Sequence, residues 1–290
     1  MEITGRTRVC GLLGDPVSES RSPFIQNMLA ELCGYDLLYA CFRVADHSPA
    51  AVEQVLRGAY NMNVLGLNAT LPLKSLVIPY LAEVDPMAAK IGALNTLVRT
   101  EGGFKGYNTD IIGLEKDLTA NGISPAGRNV LIFGAGGAAR GAAFWTAEKA
   151  PARIIIANRT VEKARALAQD VKKANPACHV EACSLEEVPS LPDRYLVIQC
   201  SSGGFGPNAQ VTPVQDPSFF EKVDFAYDVI YIPNETKFLR QAKAAGVPCS
   251  NGLRMLLGTA VAAFELWTGL DVPKSVEEKV CESLLNTVNT

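Results

Sequence analysis

The sequence predicts an α/β fold in two domains. Three observations carry that prediction. A chain of 290 residues, 48% of them apolar, exceeds one small domain and fills two. Short apolar runs bounded by Gly, Pro and Asn alternate with amphipathic stretches of helical length. The run Asn129-Val130-Leu131-Ile132-Phe133 feeds without a spacer into a glycine turn, Gly134-Ala135-Gly136-Gly137-Ala138-Ala139-Arg140, and then into an alanine-rich helix.

Strand, glycine turn and helix in that order aim main-chain N–H groups and a positive helix end at a pyrophosphate. Gly134 suits the tight turn, Gly136 admits the phosphates, and Ala139 permits close helix–strand packing. Gly134, Ala135, Gly136, Gly137 and Ala138 are therefore candidate cofactor-binding residues. The next strand, Arg153–Ala157, ends in Asn158-Arg159-Thr160, with Lys163 one turn further on. About 20 residues after the turn an acidic side chain would read a free ribose 2′-hydroxyl, as in NAD. Asn158, Arg159, Thr160 and Lys163 fit a 2′-phosphate better, which points to NADP. The plain alternative makes Thr160 a helix N-cap and Arg159 a solvated loop residue. S-adenosylmethionine would fit the same frame but leave Arg159 without a duty.

Composition narrows the chemistry. The net charge is −3 and no basic block occurs, which disfavours nucleic acid and anionic membranes as partners. No window approaches 18 uninterrupted apolar residues and the start lacks an apolar leader, so a cytoplasmic protein is expected. The eight cysteines are scattered without a Cys-x-x-Cys, as reduced core thiols would be. Only two histidines are present, and His47 beside a helix start and His179 in an alternating stretch suit surface or strand-face roles, which leaves almost no raw material for a zinc centre or a Ser-His-Asp triad. No metal is expected. Proton transfer must fall to Lys, Asp, Tyr or water.

The first 110 residues alternate strands and helices. Arg8–Leu13 reads as a strand, and Ser22 as N-cap with Pro23 at N1 opens a helix to Leu32. Leu37–Val44 is a strand, Ser48-Pro49 opens a helix to about Tyr60, and Val64–Asn68 is a strand. A helical stretch after Pro72 is broken by Pro79 and Pro86. Asn95–Val98 and Gly103–Tyr107 form an antiparallel hairpin, and Asp110 precedes a helix from Ile111 to Asn121. Beyond the glycine turn, Tyr195–Ile198 and Phe225–Tyr231 are buried strands. Gly252 precedes a long apolar helix reaching Trp267.

Polar residues gather where strands end and helices begin, the edge at which open α/β sheets bind ligands. Ser20 and Ser22 offer hydroxyls and a helix N-terminus to a carboxylate. Lys74 falls in a first helical turn, where the dipole disfavours a cation; that setting suits a proton-transfer lysine. On position alone Lys74 could be a surface lysine and Asp110 an ordinary N-cap.

These motifs, in order from residue 14 to residue 269, resemble the shikimate dehydrogenase family with its quinate/shikimate branch. The resemblance is carried by Gly14-Asp15-Pro16 with Ser20-Arg21-Ser22-Pro23, Asn68-Ala69-Thr70-Leu71-Pro72-Leu73-Lys74, Ile91–Thr96 and Gly106-Tyr107-Asn108-Thr109-Asp110. The glycine turn, Asn158-Arg159-Thr160, Tyr231-Ile232-Pro233 and Gly252 with Met255-Leu256 complete it. The resemblance implies that Ser20 and Ser22 hold a substrate carboxylate while Thr70, Asn95 and Asp110 bind ring hydroxyls. It makes Lys74 and Asp110 the catalytic pair for NADP-dependent reduction of 3-dehydroshikimate to shikimate, with Asp110 as cap and ligand at once. It also brings Tyr231 and Gly252 to the cofactor.

Three departures stand out. Glu19 occupies the position of a family His and is expected to face solvent. Ala69 replaces a Val. Thr259 stands where the family carries a substrate-binding Gln, so a direct hydrogen bond to substrate is lost or replaced by water. Glu19 and Thr259 keep open a relative acting on quinate or another cyclic hydroxy-acid, and a non-catalytic NADP-binding sensor is the alternative outside the enzymes. The expected division is residues 1–110 plus 252–290 for a substrate domain and 111–251 for a Rossmann-like NADP domain. A monomer or homodimer is expected.

Overall fold

The structure is a computed structural model and describes residues 2–192 and 194–288. It divides into two compact units: residues up to 113 with 256–287, and residues 114–255. The chain passes between units inside helices rather than in loops.

Unit 1 begins with β1 (Arg8–Gly14), α1 (Ser22–Leu32), β2 (Leu37–Arg43), α2 (Pro49–Asn61) and β3 (Gly66–Ala69). It continues through α3 (Leu73–Leu76), β4 (Glu83–Val84), α4 (Pro86–Ile91), β5 (Thr96–Thr100) and β6 (Gly103–Tyr107) into α5 (Asp110–Ala120). Its sheet runs β2-β1-β3-β5-β6-β4. β1 pairs in parallel with β2 and β3, whereas β5 is antiparallel to β3 and β6, so the sheet is mixed.

Several helix starts follow their capping residues. Ser48 accepts the Ala51 N–H ahead of Pro49, and Asp85 accepts from Met87 and Ala88 ahead of Pro86. α1 departs from expectation. Arg21 occupies the N-cap position without a side-chain bond and Ser22 is already helical, because Ser20 Oγ takes the Ser22 N–H at 3.2 Å. β4 is a two-residue strand inside the stretch expected to be helical; Pro79 and Pro86 bound it, and it pairs with β6.

Unit 2 contains β7 (Asn129–Phe133), α6 (Gly137–Ala147), β8 (Arg153–Ala157), α7 (Val161–Ala174) and β9 (Val180–Cys183). Then come β10 (Tyr195–Gln199), β11 (Val223–Asp228), α8 (Lys237–Ala244) and β12 (Cys249–Asn251). The order β12-β11-β10-β7-β8-β9 is parallel throughout, the doubly wound arrangement of a dinucleotide fold. Order reverses between β7 and β10. Continuous apolar runs follow from burial on both faces: Val130, Leu131, Ile132 and Phe133 are fully buried.

α9 (Leu253–Thr268) starts in unit 2 and enters unit 1, where α10 (Lys274–Val288) follows. The indole of Trp267 lies on Gly66 of β3, where a Cβ would stand 2.1 Å from the ring, and its N–H donates to Leu97 O at 3.0 Å. Gln26 Nε2 of α1 donates to Ala260 O at 2.9 Å. These contacts bind α9 to the unit 1 sheet and to α1.

The eight cysteines are all free, and Cys10, Cys178, Cys183 and Cys281 are buried. Among the described residues no helix is long and apolar enough to cross a membrane.

Candidate active site

Unit 1 gathers side chains at the C-terminal end of β3 and the loops beside it. β3 and the turn after it, with its cis Leu71–Pro72 bond, carry Asn68 and Thr70 and lead into α3 and Lys74. Lys74 Nζ donates to Asp110 Oδ2 at 2.5 Å, and Asn95 Nδ2 donates to Asp110 Oδ1 at 2.7 Å. The Lys74 and Asp110 side chains are 26% and 24% exposed, shielded yet open to a ligand. α3 is a single turn of four residues and carries little summed dipole, so the Asp110 carboxylate, not a helix end, sets the lysine's environment.

The capping role expected of Asp110 is not seen. Its carboxylate is occupied by Lys74 and Asn95, and Asn108 Oδ1 takes the Ile111 N–H at 3.4 Å instead. Asn95 is buried and tied to its neighbours: Thr109 N–H donates to its Oδ1 at 2.8 Å. Asn68 Nδ2 donates to Asn95 O at 2.9 Å and to Thr96 Oγ1 at 3.0 Å.

Ser20 and Ser22 are half-buried at the start of α1. The Tyr39 phenol donates to Asn68 Oδ1 at 2.7 Å. Burial pushes the Tyr39 phenol well above its ordinary pKa, so it stays a donor. Thr70 is half-buried over Gly14, where a Cβ would stand 2.3 Å from the threonine methyl. Glu19 is exposed. Thr259 is half-buried on α9, and among the described residues no side-chain bond joins it to the others.

The structure thus ties Lys74, Asn95 and Asp110 directly, and backs them with a buried polar link of residues to which sequence reasoning gave no role. Tyr39, Asn68, Thr96 and Thr109 form that link. For Tyr39, Asn68 and Thr96 the signal is a polar side chain inside an apolar strand, as in Leu67-Asn68-Ala69; Thr109 lies in the loop before α5.

Unit 2 presents a second edge. Gly134 has φ +106°, and a Cβ there would stand 3.1 Å from the Cys200 carbonyl carbon and oxygen, at the reversal between β7 and β10. Gly136, Gly137 and Ala138 are exposed, Ala135 half-buried and Ala139 fully buried. α6 starts at Gly137 with no side-chain cap, and a Cβ at Gly136 or Gly137 would meet open space. The first turn of this eleven-residue helix therefore presents uncapped N–H groups beside an open cradle, which fits a pyrophosphate.

Arg159 and Lys163 are exposed, and among the described residues neither sits in an ion pair, in contrast to Arg140, held by Asp170 at 2.7 Å. Asn158 Nδ2 donates to Thr160 O at 2.8 Å. Thr160 takes the N-cap position of α7 without a side-chain bond. These residues fit a ribose 2′-phosphate.

Asp228 closes β11 with no exposed surface. It accepts Ile230 N–H at 3.0 Å and the Thr236 hydroxyl at 2.7 Å, bracing the loop that carries the half-buried Tyr231. Burial pushes its pKa up to about 7. Gly252 has no room for a side chain, since a Cβ would stand 2.2 Å from Val229 O.

Comparison with known proteins gives the chain's family. The family model for the shikimate dehydrogenase substrate binding domain covers residues 12–97, and that for shikimate / quinate 5-dehydrogenase covers residues 118–211. A shikimate dehydrogenase (NADP(+)) of Caldanaerobacter subterraneus subsp. tengcongensis is 39% identical over 270 residues, 93% of this chain and 94% of that protein. Shikimate 5-dehydrogenase from Thermus thermophilus, solved with NADP(H) and shikimate, is 32% identical with a TM-score of 0.81, over 96% of this chain and 99% of that one. Ligand-free 5-ketofructose reductase of Gluconobacter sp. strain CHM43 is 28% identical with a TM-score of 0.83, over 97% and 100%. With its two-unit fold and relatives matched along nearly its whole length, the chain belongs to the shikimate dehydrogenase family.

Proposed function

We propose that the chain catalyses the reversible NADP-dependent reduction of 3-dehydroshikimate to shikimate. The observation that carries this reading is the Lys74–Asp110 ion pair, held on its far side by Asn95, in the same unit as Ser20, Ser22 and Thr70. The relatives with NADP in their names and the shikimate-bound structure support both ligands.

Lys74 brings a positive charge and three N–H donors to the position where negative charge grows on the ketone oxygen, and delivers the proton. Asp110 orients Lys74 and accepts from a ring hydroxyl. Asn95 and Thr70 take further ring hydroxyls. Ser20 and Ser22 hold the carboxylate with their hydroxyls and the N-terminus of α1. The glycine turn from Gly134 to Ala138 holds the pyrophosphate. Asn158, Arg159, Thr160 and Lys163 hold the 2′-phosphate, and Tyr231 and Gly252 complete the cofactor site. When bound, NADPH supplies a hydride to the carbonyl carbon.

The test is an absorbance assay at the reduced-nicotinamide band, running shikimate and quinate against NADP and NAD. Shikimate with NADP should turn over best. No oxidation of shikimate with either cofactor would overturn the reading.

A second reading, a dehydrogenase of quinate or another cyclic hydroxy-acid, is favoured by Thr259, a short side chain at the family's Gln position. Preference for quinate in the same assay would establish it. The likeness to a 5-ketofructose reductase supports a family tolerant of different ketones. A non-catalytic sensor would have no use for the Lys74–Asp110 pair. We place the protein in the cytoplasm as a monomer or homodimer, with no metal; light scattering would decide the oligomeric state.

A further inference from the structure

The buried polar link in unit 1 has a direction, and main-chain groups impose it. Asn95 O can only accept, so the atom of Asn68 facing it is Nδ2, and Asn68 Oδ1 faces Tyr39. The Tyr39 hydroxyl is then the donor. Thr109 N–H can only donate, so the atom of Asn95 facing it is Oδ1, and Nδ2 faces Asp110. Between the two amides stands Thr96, with no exposed surface. It accepts from Asn68 Nδ2 at 3.0 Å, lies 2.9 Å from Thr109 Oγ1, and donates to Asn95 Oδ1 at 3.2 Å. Every donor from Tyr39 onward therefore points toward the Asp110 carboxylate. Chains of aligned hydrogen bonds polarise one another, and the effect grows away from water.

We propose that Thr96 is a positioning residue of the reaction. Its hydroxyl joins the Tyr39–Asn68 segment to Asn95 and so sharpens the hold of Asn95 on the carboxylate that orients Lys74. Thr96 reaches neither Lys74 nor Asp110 itself; it works through Asn95. Packing alone does not account for a hydroxyl at this point, because valine has the same shape. Removing it takes the acceptor from one of the two Asn68 Nδ2 hydrogens while the other keeps Asn95 O, and Thr109 Oγ1 keeps Asn95 Oδ1 at 3.1 Å, so the thermal midpoint must be read beside the rate. The inference rests on the dehydrogenase reading above.

The test compares Thr96→Val, Thr96→Ser and Asn95→Ala, with Thr96→Val also placed on the Asn95→Ala background. Rates are read with shikimate and NADP, and thermal midpoints alongside. Thr96→Val should lower kcat about tenfold with the KM for NADP unchanged, and Thr96→Ser should restore kcat to within about twofold. On the Asn95→Ala background Thr96→Val should have no further effect on kcat, since both act through one amide. Full activity of Thr96→Val, or a loss that multiplies with that of Asn95→Ala and tracks a fall in thermal midpoint, would overturn the proposal. If valine prevents folding, Thr96→Ala carries the same comparison. A wild-type protein inactive on shikimate would overturn the dehydrogenase reading and this inference with it; an active wild type beside an unaffected Thr96→Val overturns only the inference.

Discussion

The two sheet edges are built from opposite materials. In unit 1 the edge is made of side chains: Lys74, Asp110, Asn95 and the buried hydroxyls behind them, each positioned by another polar group. In unit 2 it is made of main chain left bare, with Gly134 in a conformation that excludes other residues and α6 starting without a cap. The first edge is exact in its chemical groups and can be broken by removing atoms. The second is exact in its shape and can be broken by adding one. A small ketone must be gripped through directed hydroxyls and a proton donor, whereas a pyrophosphate needs only N–H groups and room.

The largest effect expected from this contrast is at Lys74. Lys74→Ala should lower kcat about 10³-fold with KM for shikimate changing far less, as read by initial rates. An unchanged kcat would remove Lys74 from the chemistry. Next comes the added atom. Gly134→Ala meets both a φ of +106° and main-chain atoms at 3.1 Å, and should cost about 2–3 kcal/mol of stability in a denaturant titration.

Two carboxylates sit in opposite settings. Asp110 faces a lysine, whereas Asp228 is fully buried among neutral donors and its pKa lies up at about 7. A carboxyl raised in the folded state binds its proton there while the unfolded chain has released it. Stability should therefore fall as pH rises from about 4 to 7, by at most about 1.4 kcal/mol per pH unit from this group. Asp228→Asn should flatten that slope, read as thermal midpoint against pH; an unaltered slope would assign it to other groups.

Smaller effects test ligand choice. Arg159→Ala should raise the KM for NADP about tenfold and leave that for NAD unchanged. Thr259→Gln should lower the KM for shikimate about fivefold, the worth of one hydrogen bond near 1 kcal/mol. No change would mean that water already spans the gap.

The contrast also explains what could be read in advance. Unit 2 was legible because its signals are local: an apolar run of strand length, glycines at fixed offsets, and a basic residue after the next strand. Most elements of unit 1 were legible too, through Ser48-Pro49 and the Glu101-Gly102 hairpin turn. β4 and β12 were not, because strands of two and three residues carry no period of their own and exist only through the partners that pair with them. Lys74 and Asp110 stood out by motif. That they touch, and that Tyr39, Asn68 and Thr96 stand behind them, depends on strands brought together from distant parts of the chain. The N-cap expected at Ser22 failed by one residue because Ser20 captured its N–H.

The course of the chain has a consequence for synthesis. Unit 2 is a continuous stretch, residues 114–255, whereas unit 1 needs residues 256–287 to finish. Until Trp267 emerges from the ribosome, the groove above Gly66 stays empty and Leu97 O lacks its indole donor. The inserted unit can therefore be complete while the unit that encloses it in sequence still lacks its closing helices. A chain truncated after residue 255 and released from the ribosome should be protease-resistant over residues 114–255 and digestible before them.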